Sequence, residues 1–335
     1  MTVNIGIIGV GMIGQDHAGR LASVLSGARV AAVADADVDR AAAVARSLPG
    51  AQALASGHEV IGSETVDAVV VTSWGPTHEE FVLAAIEAGK PVFCEKPLAP
   101  APDACLRIVE AEMAAGRRLV QVGFMRRYDR GYRALKRAVD DGVIGAPLLV
   151  HCAHRNPAVP ETFTSDMPVT DAAVHEMDIS RWLLGDEVAA VSVLAPRRTR
   201  HAATHLQDPQ VLLMETAAGV HIDVEVFVNC QYGYDIRCEL VGETGTVSLA
   251  NPAPVAVRGA GSAAEPVPAD WRERFAGAYD TELQEWVNSV RAGQATGPSS
   301  WDGYAVAAVS GAALTALESG QRTVVVMKDR PPFYS

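Results

Sequence analysis

The rhythm of apolar and polar positions changes once along the chain. Up to residue 124, short apolar runs alternate with helical stretches. Val3–Gly9, Arg29–Ala34, Ala51–Ala55, Asp67–Ser73, Pro91–Glu95 and Arg118–Phe124 read as strands, and 12–25, 38–47, 78–89 and 102–115 as helices. The strand runs are near-continuous Val, Ile and Ala, as expected when helices cover both faces of a sheet. This alternation predicts a parallel, doubly wound sheet. Gly89 and Gly116 mark helix ends, glycine being the residue that readily takes the left-handed turn there.

After residue 124 strands dominate. A helix over 129–141 closes at Gly142, a strand follows over Pro147–Arg155, and a Pro- and Thr-rich loop (156–170) leads to a helix from Asp171 to Leu184, ended by Gly185. Strands are predicted at 187–195, 209–217, 234–241 and 245–250. In GVHIDVEVFVN, Ile222, Val224, Val226 and Val228 alternate with Asp223, Glu225 and Phe227, the period of an antiparallel strand with one buried face. Residues 251–270, rich in Pro, Ala and Gly, read as a loop, and helices over 277–292 and 301–319 precede a last strand, Arg322–Met327. The fold class expected is α/β: a doubly wound domain over 1–124, then an α+β domain over 125–335 with a large, mostly antiparallel sheet.

Composition narrows this picture. With 335 residues the chain exceeds one ordinary core and suits two domains. Its 49% hydrophobic and 20% charged content fits a packed protein. A net charge of -12 argues against a nucleic-acid partner, because phosphate contacts need clustered Lys and Arg. Arg197, Arg198 and Arg200 read as a solvated loop. The five cysteines, Cys94, Cys105, Cys152, Cys230 and Cys238, form no C-x-x-C pair. They suggest neither disulfides nor zinc, and fit a reducing cytoplasm. MTVNIGIIGVGMIG lacks the positive start of a signal peptide, and no run of apolar residues is long enough for a membrane span.

Gly9-Val10-Gly11-Met12-Ile13-Gly14 is G-x-G-x-x-G, placed between the first strand and the first helix. Glycines there permit a tight turn and close approach to a pyrophosphate, and the helix start, with the amides of Met12 and Ile13, offers N–H groups to it. Asp35 ends the second strand, 21 residues beyond Gly14. A carboxylate there accepts from both hydroxyls of an adenosine ribose and repels a 2′-phosphate, favouring NAD over NADP. These features define a Rossmann domain. Ser73, Trp74 and His78 follow the fourth strand, on the edge where ligands lie in such sheets. Trp74 and His78 read equally as cofactor neighbours, or as local packing and a helix-start cap.

Glu95-Lys96-Pro97 ends the fifth strand on the same edge. An ammonium at that tip can donate to a ribose hydroxyl and to a substrate hydroxyl. The proline restricts Lys96 to extended geometry and makes a cis bond accessible. Asp171, His175 and Asp178 fall at i, i+4 and i+7, one face of a helix. A carboxylate one turn from a histidine can hold the tautomer that a general base needs. HEMDI departs from the zinc motif H-E-x-x-H, because position 179 is Ile, so no metal is expected.

Together the glycine fingerprint, the Glu95-Lys96-Pro97 tip and the Asp171/His175 helix resemble the glucose–fructose oxidoreductase / inositol dehydrogenase family over essentially the whole chain. TSWGPTHEE (72–80), VFCEKPLA (92–99), QVGFMRRYD (121–129), HRNP (154–157), DAAVHEMDISRWLLG (171–185) and NCQYGYDIRCELVGE (229–243) are similar to its inositol 2-dehydrogenases in particular. The wider family often has Pro-Asn after the fourth strand, where this chain has Trp74-Gly75-Pro76.

The resemblance implies that NAD takes a hydride from a ring hydroxyl of myo-inositol, giving the ketone. Lys96 would position substrate and ribose, His175 would be the base, and Asp171 would orient it. Arg126, His154, Asn156, Asp178 and Tyr234 would contact the polyol, with Glu95 on the cofactor side. Pattern alone does not decide between Arg126 and Arg127; the resemblance favours Arg126. It also implies a homotetramer through an open sheet of the second domain, and a role in myo-inositol catabolism. Two other readings stand beside it: a dehydrogenase of scyllo-inositol or an aldose, and a non-catalytic dinucleotide sensor. A sensor should have lost the lysine or the Asp/His pair, and all three residues are present.

Overall fold

The computed structural model describes residues 2–250, 257–259 and 261–334. The chain forms two compact units. The first comprises Met1–Phe124, Tyr279–Ala307 and Lys328–Ser335; the second comprises Met125–Ala278 and Ala308–Met327. The sequence pattern assigns all of 125–335 to one later domain, whereas 279–307 and 328–335 pack with the first unit.

In the first unit, β1 (Val3–Ile8), α1 (Met12–Ser23), β2 (Ala28–Ala34), α2 (Val38–Ser47), β3 (Gln52–Ala53), α3 (Gly57–Gly62), β4 (Ala68–Val71), α4 (His78–Glu87), β5 (Val92–Glu95), α5 (Pro102–Ala114) and β6 (Val120–Gly123) follow in order. The six strands lie in the order β3-β2-β1-β4-β5-β6, with every pairing parallel. The order reverses between β1 and β4, so a crevice opens beyond their carboxyl ends. α3 lies outside the helices predicted. It is six residues long and capped by Ser56, whose side chain accepts from the Glu59 amide.

β4, β5 and β6 are buried at every position, which explains the unbroken apolar run of β4; Glu95 in β5 and Gln121 in β6 are buried polar exceptions. Ile5, Ile7, Val33, Val70 and Phe93 share a core with Leu283, Trp286 and Val287. The last segment is fastened by Glu112, whose buried carboxylate accepts from the amides of Leu119 (2.6 Å) and Val120 (2.7 Å) and from Tyr334 Oη at 2.8 Å. A buried carboxylate is tolerable only with such donors around it.

In the second unit, α6 (Arg130–Asp140), β7 (Pro147–Arg155), α7 (Val174–Leu184), β8 (Val188–Leu194), β9 (Gln210–Thr216), β10 (His221–Phe227), β11 (Asp235–Gly242) and β12 (Thr246–Ser248) precede a short hairpin, β13 (Val257–Gly259) and β14 (Ser262–Ala264). α8 (Trp271–Ala292), α9 (Ser300–Ser319) and β15 (Thr323–Val324) complete the chain. Of the loop predicted at 251–270, residues 251–256 and 260 lie outside the described residues; the hairpin lies within it.

The sheet order is β12-β11-β7-β10-β9-β8-β15. It is antiparallel except at β7 and β10, which run parallel. β10 is therefore not a purely antiparallel strand, as its alternation suggested. The expected burial does hold: Ile222, Val224 and Val226 are buried. A period of two reports one buried face and is blind to the direction of the neighbour.

Candidate active site

The three glycines of the turn stand in three different settings. Gly9 has φ +88, and a Cβ on it would lie 2.4 Å from Ser73 Cα. A Cβ on Gly14 would lie 2.1 Å from Gly9 O, so this glycine allows α1 to pack on the turn. At Gly11 an added Cβ would meet nothing within 4 Å. No packing demand explains a glycine there, but approach of a pyrophosphate does. Gly11 is also the N-cap of the twelve-residue α1 and provides no side-chain cap, which leaves the first-turn amides to a ligand.

Asp35 is fixed from three directions. Oδ2 accepts from the Val10 amide at 2.7 Å, and Oδ1 accepts from the Asp37 amide at 2.9 Å and from Arg40 Nη2 at 2.6 Å. Burial pushes its pKa up, but the Arg40 and amide hydrogen bonds outweigh this and lower it. The acid is thus ionised and aimed before any ribose arrives. Gly9, Gly11, Asp35, Ser73 and Trp74 line one cleft of about 530 Å³ together with Arg40, Thr72 and Phe81. Trp74 is 77% exposed, available to a ligand instead of packed into a core. Met12 is exposed at the start of α1, so its contribution there is its amide.

Two predicted cofactor residues act through the backbone instead. His78 is buried, with Nδ1 2.8 Å from Pro97 O and Nε2 2.9 Å from Ser73 O. Both ring nitrogens are engaged, so His78 ties the loops after β4 and β5 together, and its ring does not reach into the cleft. Burial lowers its pKa against the pull of those carbonyls. Glu95 is likewise buried: Oε1 lies 2.8 Å from His17 Nε2 and Oε2 accepts from the Lys96 amide at 3.1 Å. It supports the tip that carries Lys96. The Lys96–Pro97 peptide is cis.

In the second unit a polar cluster forms inside the protein. Arg126, on the turn Met125–Tyr128, is 1% exposed and Glu176 on α7 is 0% exposed. Arg126 Nη1 donates to Glu176 Oε1. Glu176 Oε2 lies 3.0 Å from His154 Nδ1, which Arg126 Nη2 also approaches at 3.2 Å; the carboxylate can only accept, so its contact suits the tautomer with the proton on Nδ1. Burial pushes Glu176 up, but the Arg126 guanidinium and His154 hold it down to about 2. The His154 ring is 6.2 Å from that of His175 and 5.9 Å from that of Tyr234. Burial pushes the Tyr234 phenol up to about 12, so it stays a neutral donor. Two residues beyond His154, the buried Oδ1 of Asn156 has no hydrogen-bond partner among the described residues, as expected of a group that meets a ligand. Arg126, His154, His175 and Tyr234 are thus gathered as the sequence expects, with Glu176 added.

Two other expectations change. α7 begins at Val174, and Asp171 lies on a π-helical turn, Pro168–Ala172. Asp171 is exposed while His175 and Asp178 are buried. A proline-led π-helical turn thus takes the place of the first turn of the predicted helix, and Asp171 stands just before the α-helix that carries His175 and Asp178. Asp178, expected to meet the substrate, takes both guanidinium arms of Arg127: Oδ2 accepts from Nε at 2.9 Å and Oδ1 from Nη2 at 2.5 Å.

The chain is similar to known proteins over its whole length. An oxidoreductase-family NAD-binding Rossmann fold matches residues 3–124, and the C-terminal alpha/beta domain of the same family matches 136–326. The chain belongs to the glucose–fructose oxidoreductase / inositol dehydrogenase family. It is 61% identical over 334 residues to inositol 2-dehydrogenase 3 of Saccharopolyspora erythraea, covering 100% of this chain and 98% of that one. Its structure matches that of myo-inositol dehydrogenase from Lactobacillus casei in complex with NAD(H) and myo-inositol, with a TM-score of 0.98, 38% identity and 100% coverage of both chains. It also matches scyllo-inositol dehydrogenase from Lactobacillus casei with bound NAD(H) and scyllo-inositol, with a TM-score of 0.91, 25% identity, and 97% and 99% coverage.

Within the family pattern, three residues escaped the sequence reading. Glu176 stood in HEMDI only as part of a failed metal motif. Arg40 is one of two arginines on α2. His17 gives no sign in the sequence that it faces Glu95, 78 residues away.

Proposed function

We propose that the chain is an NAD-dependent inositol 2-dehydrogenase that oxidises a ring hydroxyl of myo-inositol to the ketone. One observation carries the choice of substrate class. Arg126 and Arg127, the cations that would have read a phosphate, are each paired with a carboxylate of α7. The cluster that remains offers hydrogen-bonding groups on His154, His175, Tyr234 and Asn156. That set suits an uncharged polyol, since buried polar groups left unmatched are costly.

The roles follow from the chemistry of each group. With Nδ1–H held by Glu176, His154 presents the lone pair of Nε2 and accepts from a ring hydroxyl. His175 takes the proton of the hydroxyl being oxidised. Asp171 favours the charged imidazole, a role that now rests on the family resemblance, because Asp171 stands before the α-helix that carries His175. Lys96, its amide held by Glu95, donates to a substrate hydroxyl and to the cofactor ribose. The pyrophosphate belongs to Gly9–Gly14 and the adenosine ribose to Asp35. Bound NAD supplies the acceptor for the hydride leaving the carbinol carbon.

Beyond the site, the reading places the enzyme in the cytoplasm, in myo-inositol catabolism, as a homotetramer. Free thiols at all five cysteines support a reducing compartment. Leu149 and Leu213, 39% and 43% exposed on the open face of the seven-stranded sheet, support a subunit interface there. Among the described residues no helix is long and apolar enough to cross a membrane, and the net charge of -12 disfavours nucleic acid.

The second reading, oxidation of scyllo-inositol or of an aldose, draws on the likeness to the scyllo-inositol dehydrogenase. One experiment separates the two. Purified protein with NAD is given myo-inositol, scyllo-inositol or glucose in turn, and the absorbance of reduced nicotinamide is followed. Fastest reduction with myo-inositol is expected. A preference for either of the others moves the assignment, and NAD binding without any reduction supports the sensor.

A further inference from the structure

A salt bridge stands where the adenosine ribose is read. Arg40, in the first turn of α2, donates from Nη2 to Asp35 Oδ1 at 2.6 Å, and its Nη1 lies 3.4 Å from Asp37 Oδ2. The two partners of the Asp35–Arg40 bridge are held very differently. The Asp35 side chain is 6% exposed and keeps the Val10 and Asp37 amides whether or not Arg40 is present. The Arg40 side chain is 41% exposed, and the partners it shows are Asp35 and Asp37. Asp35 is therefore positioned by the main chain, and Arg40 by Asp35. Both line the cofactor cleft.

We propose that Arg40 is a latent 2′-phosphate-binding residue restrained by Asp35, and that the Asp35–Arg40 pair, not Asp35 alone, sets the choice between the two nicotinamide dinucleotides. This rests on reading the cleft as the dinucleotide site. A guanidinium carries five N–H donors in a planar fork that matches a phosphate. In the native chain its charge is answered by Asp35, and an incoming 2′-phosphate meets the carboxylate. Without that carboxylate, Asp37 Oδ2 at 3.4 Å remains as a counter-charge to Nη1, and Nη2 is released beside the ribose. Exposed ion pairs hold weakly, so Arg40 can turn to the new anion at little cost.

The test titrates the full-length protein by calorimetry with 5′-ADP and with adenosine 2′,5′-bisphosphate. Neither probe carries nicotinamide, so turnover does not enter. The native protein should prefer ADP. Asp35→Ser should tighten the bisphosphate about tenfold or more, roughly what one charge-assisted contact of 1.4 kcal/mol confers, and Arg40→Ala on that background should remove the gain. Asp35→Asn, which keeps an acceptor for the Val10 amide, serves if Asp35→Ser does not fold. Arg40→Ala alone should weaken the bisphosphate more than it weakens ADP. An Asp35→Ser/Arg40→Ala double variant that gains as much as Asp35→Ser would overturn the proposal, leaving the cofactor site intact. A native protein that binds neither probe nor NAD would remove the dinucleotide reading as well.

Discussion

Glu176 serves two partners with its two oxygens: Oε1 accepts from Arg126 Nη1, and Oε2 lies 3.0 Å from His154 Nδ1. All three side chains are almost wholly buried. The carboxylate compensates a guanidinium that could not otherwise be inside, and it favours the His154 tautomer with the proton on Nδ1.

Removing that charge should be expensive. Glu176→Gln leaves Arg126 buried without its counter-ion, and breaking a buried pair in this way costs about 3–5 kcal/mol. Urea unfolding of the variant and the native protein measures the difference. A difference below about 1 kcal/mol, the value of an exposed pair, would mean that water reaches the guanidinium.

The same pair has a pH signature. Glu176 is held down to about 2 from its ordinary value of 4.5. A carboxyl whose folded pKa is depressed contributes stability above its unfolded pKa and loses it as pH falls toward the folded one. The stability gap between the native protein and Glu176→Gln should therefore be constant above 4.5 and shrink from there toward about 2. Denaturant unfolding at several pH values reads this directly, and a gap that does not narrow would contradict the pairing.

Two glycines of one turn should fail differently. Gly14→Ala drives a Cβ to 2.1 Å from Gly9 O, so the turn must distort and the melting temperature should fall. Gly11→Ala places its Cβ in open space. It should melt as the native protein does yet bind NAD about tenfold or more weaker, a loss of roughly 1.4 kcal/mol. Thermal melts paired with NAD titration separate the two, and unchanged NAD affinity in Gly11→Ala would mean the pyrophosphate does not approach there.

Local signals made much of this structure legible. Mainly apolar runs marked β4, β5 and β6 because both faces of those strands are buried, and the glycine spacing located the cofactor turn. What stayed hidden depends on distance or direction. Glu176 finds Arg126 and His154 across 50 and 22 residues, and no local pattern encodes such a meeting. β7 and β10 pair in parallel, although alternation looks the same either way. Asp171 was placed inside the α-helix by spacing, whereas Pro168 opens a π-helical turn that carries Asp171 before the α-helix begins. Residues 279–307 return to the first unit, an outcome of packing that follows no change in sequence pattern.

If His175 takes only the hydroxyl proton, His175→Ala should lower turnover about 10²–10⁴-fold, the usual worth of a general base, while NAD affinity stays as it was. Steady-state rates and NAD titration of the variant check this. Near-native turnover at neutral pH would remove His175 from the proton-transfer role.

The most direct measurement of the central claim follows the hydrogen itself. The protein is given NAD and myo-inositol carrying deuterium only on the carbon of the hydroxyl to be oxidised, and the recovered dinucleotide is weighed by mass spectrometry. The account predicts reduced NAD carrying one deuterium and a ring ketone that has lost it. Reduced NAD without the label, or no reduction while NAD binds, would contradict it.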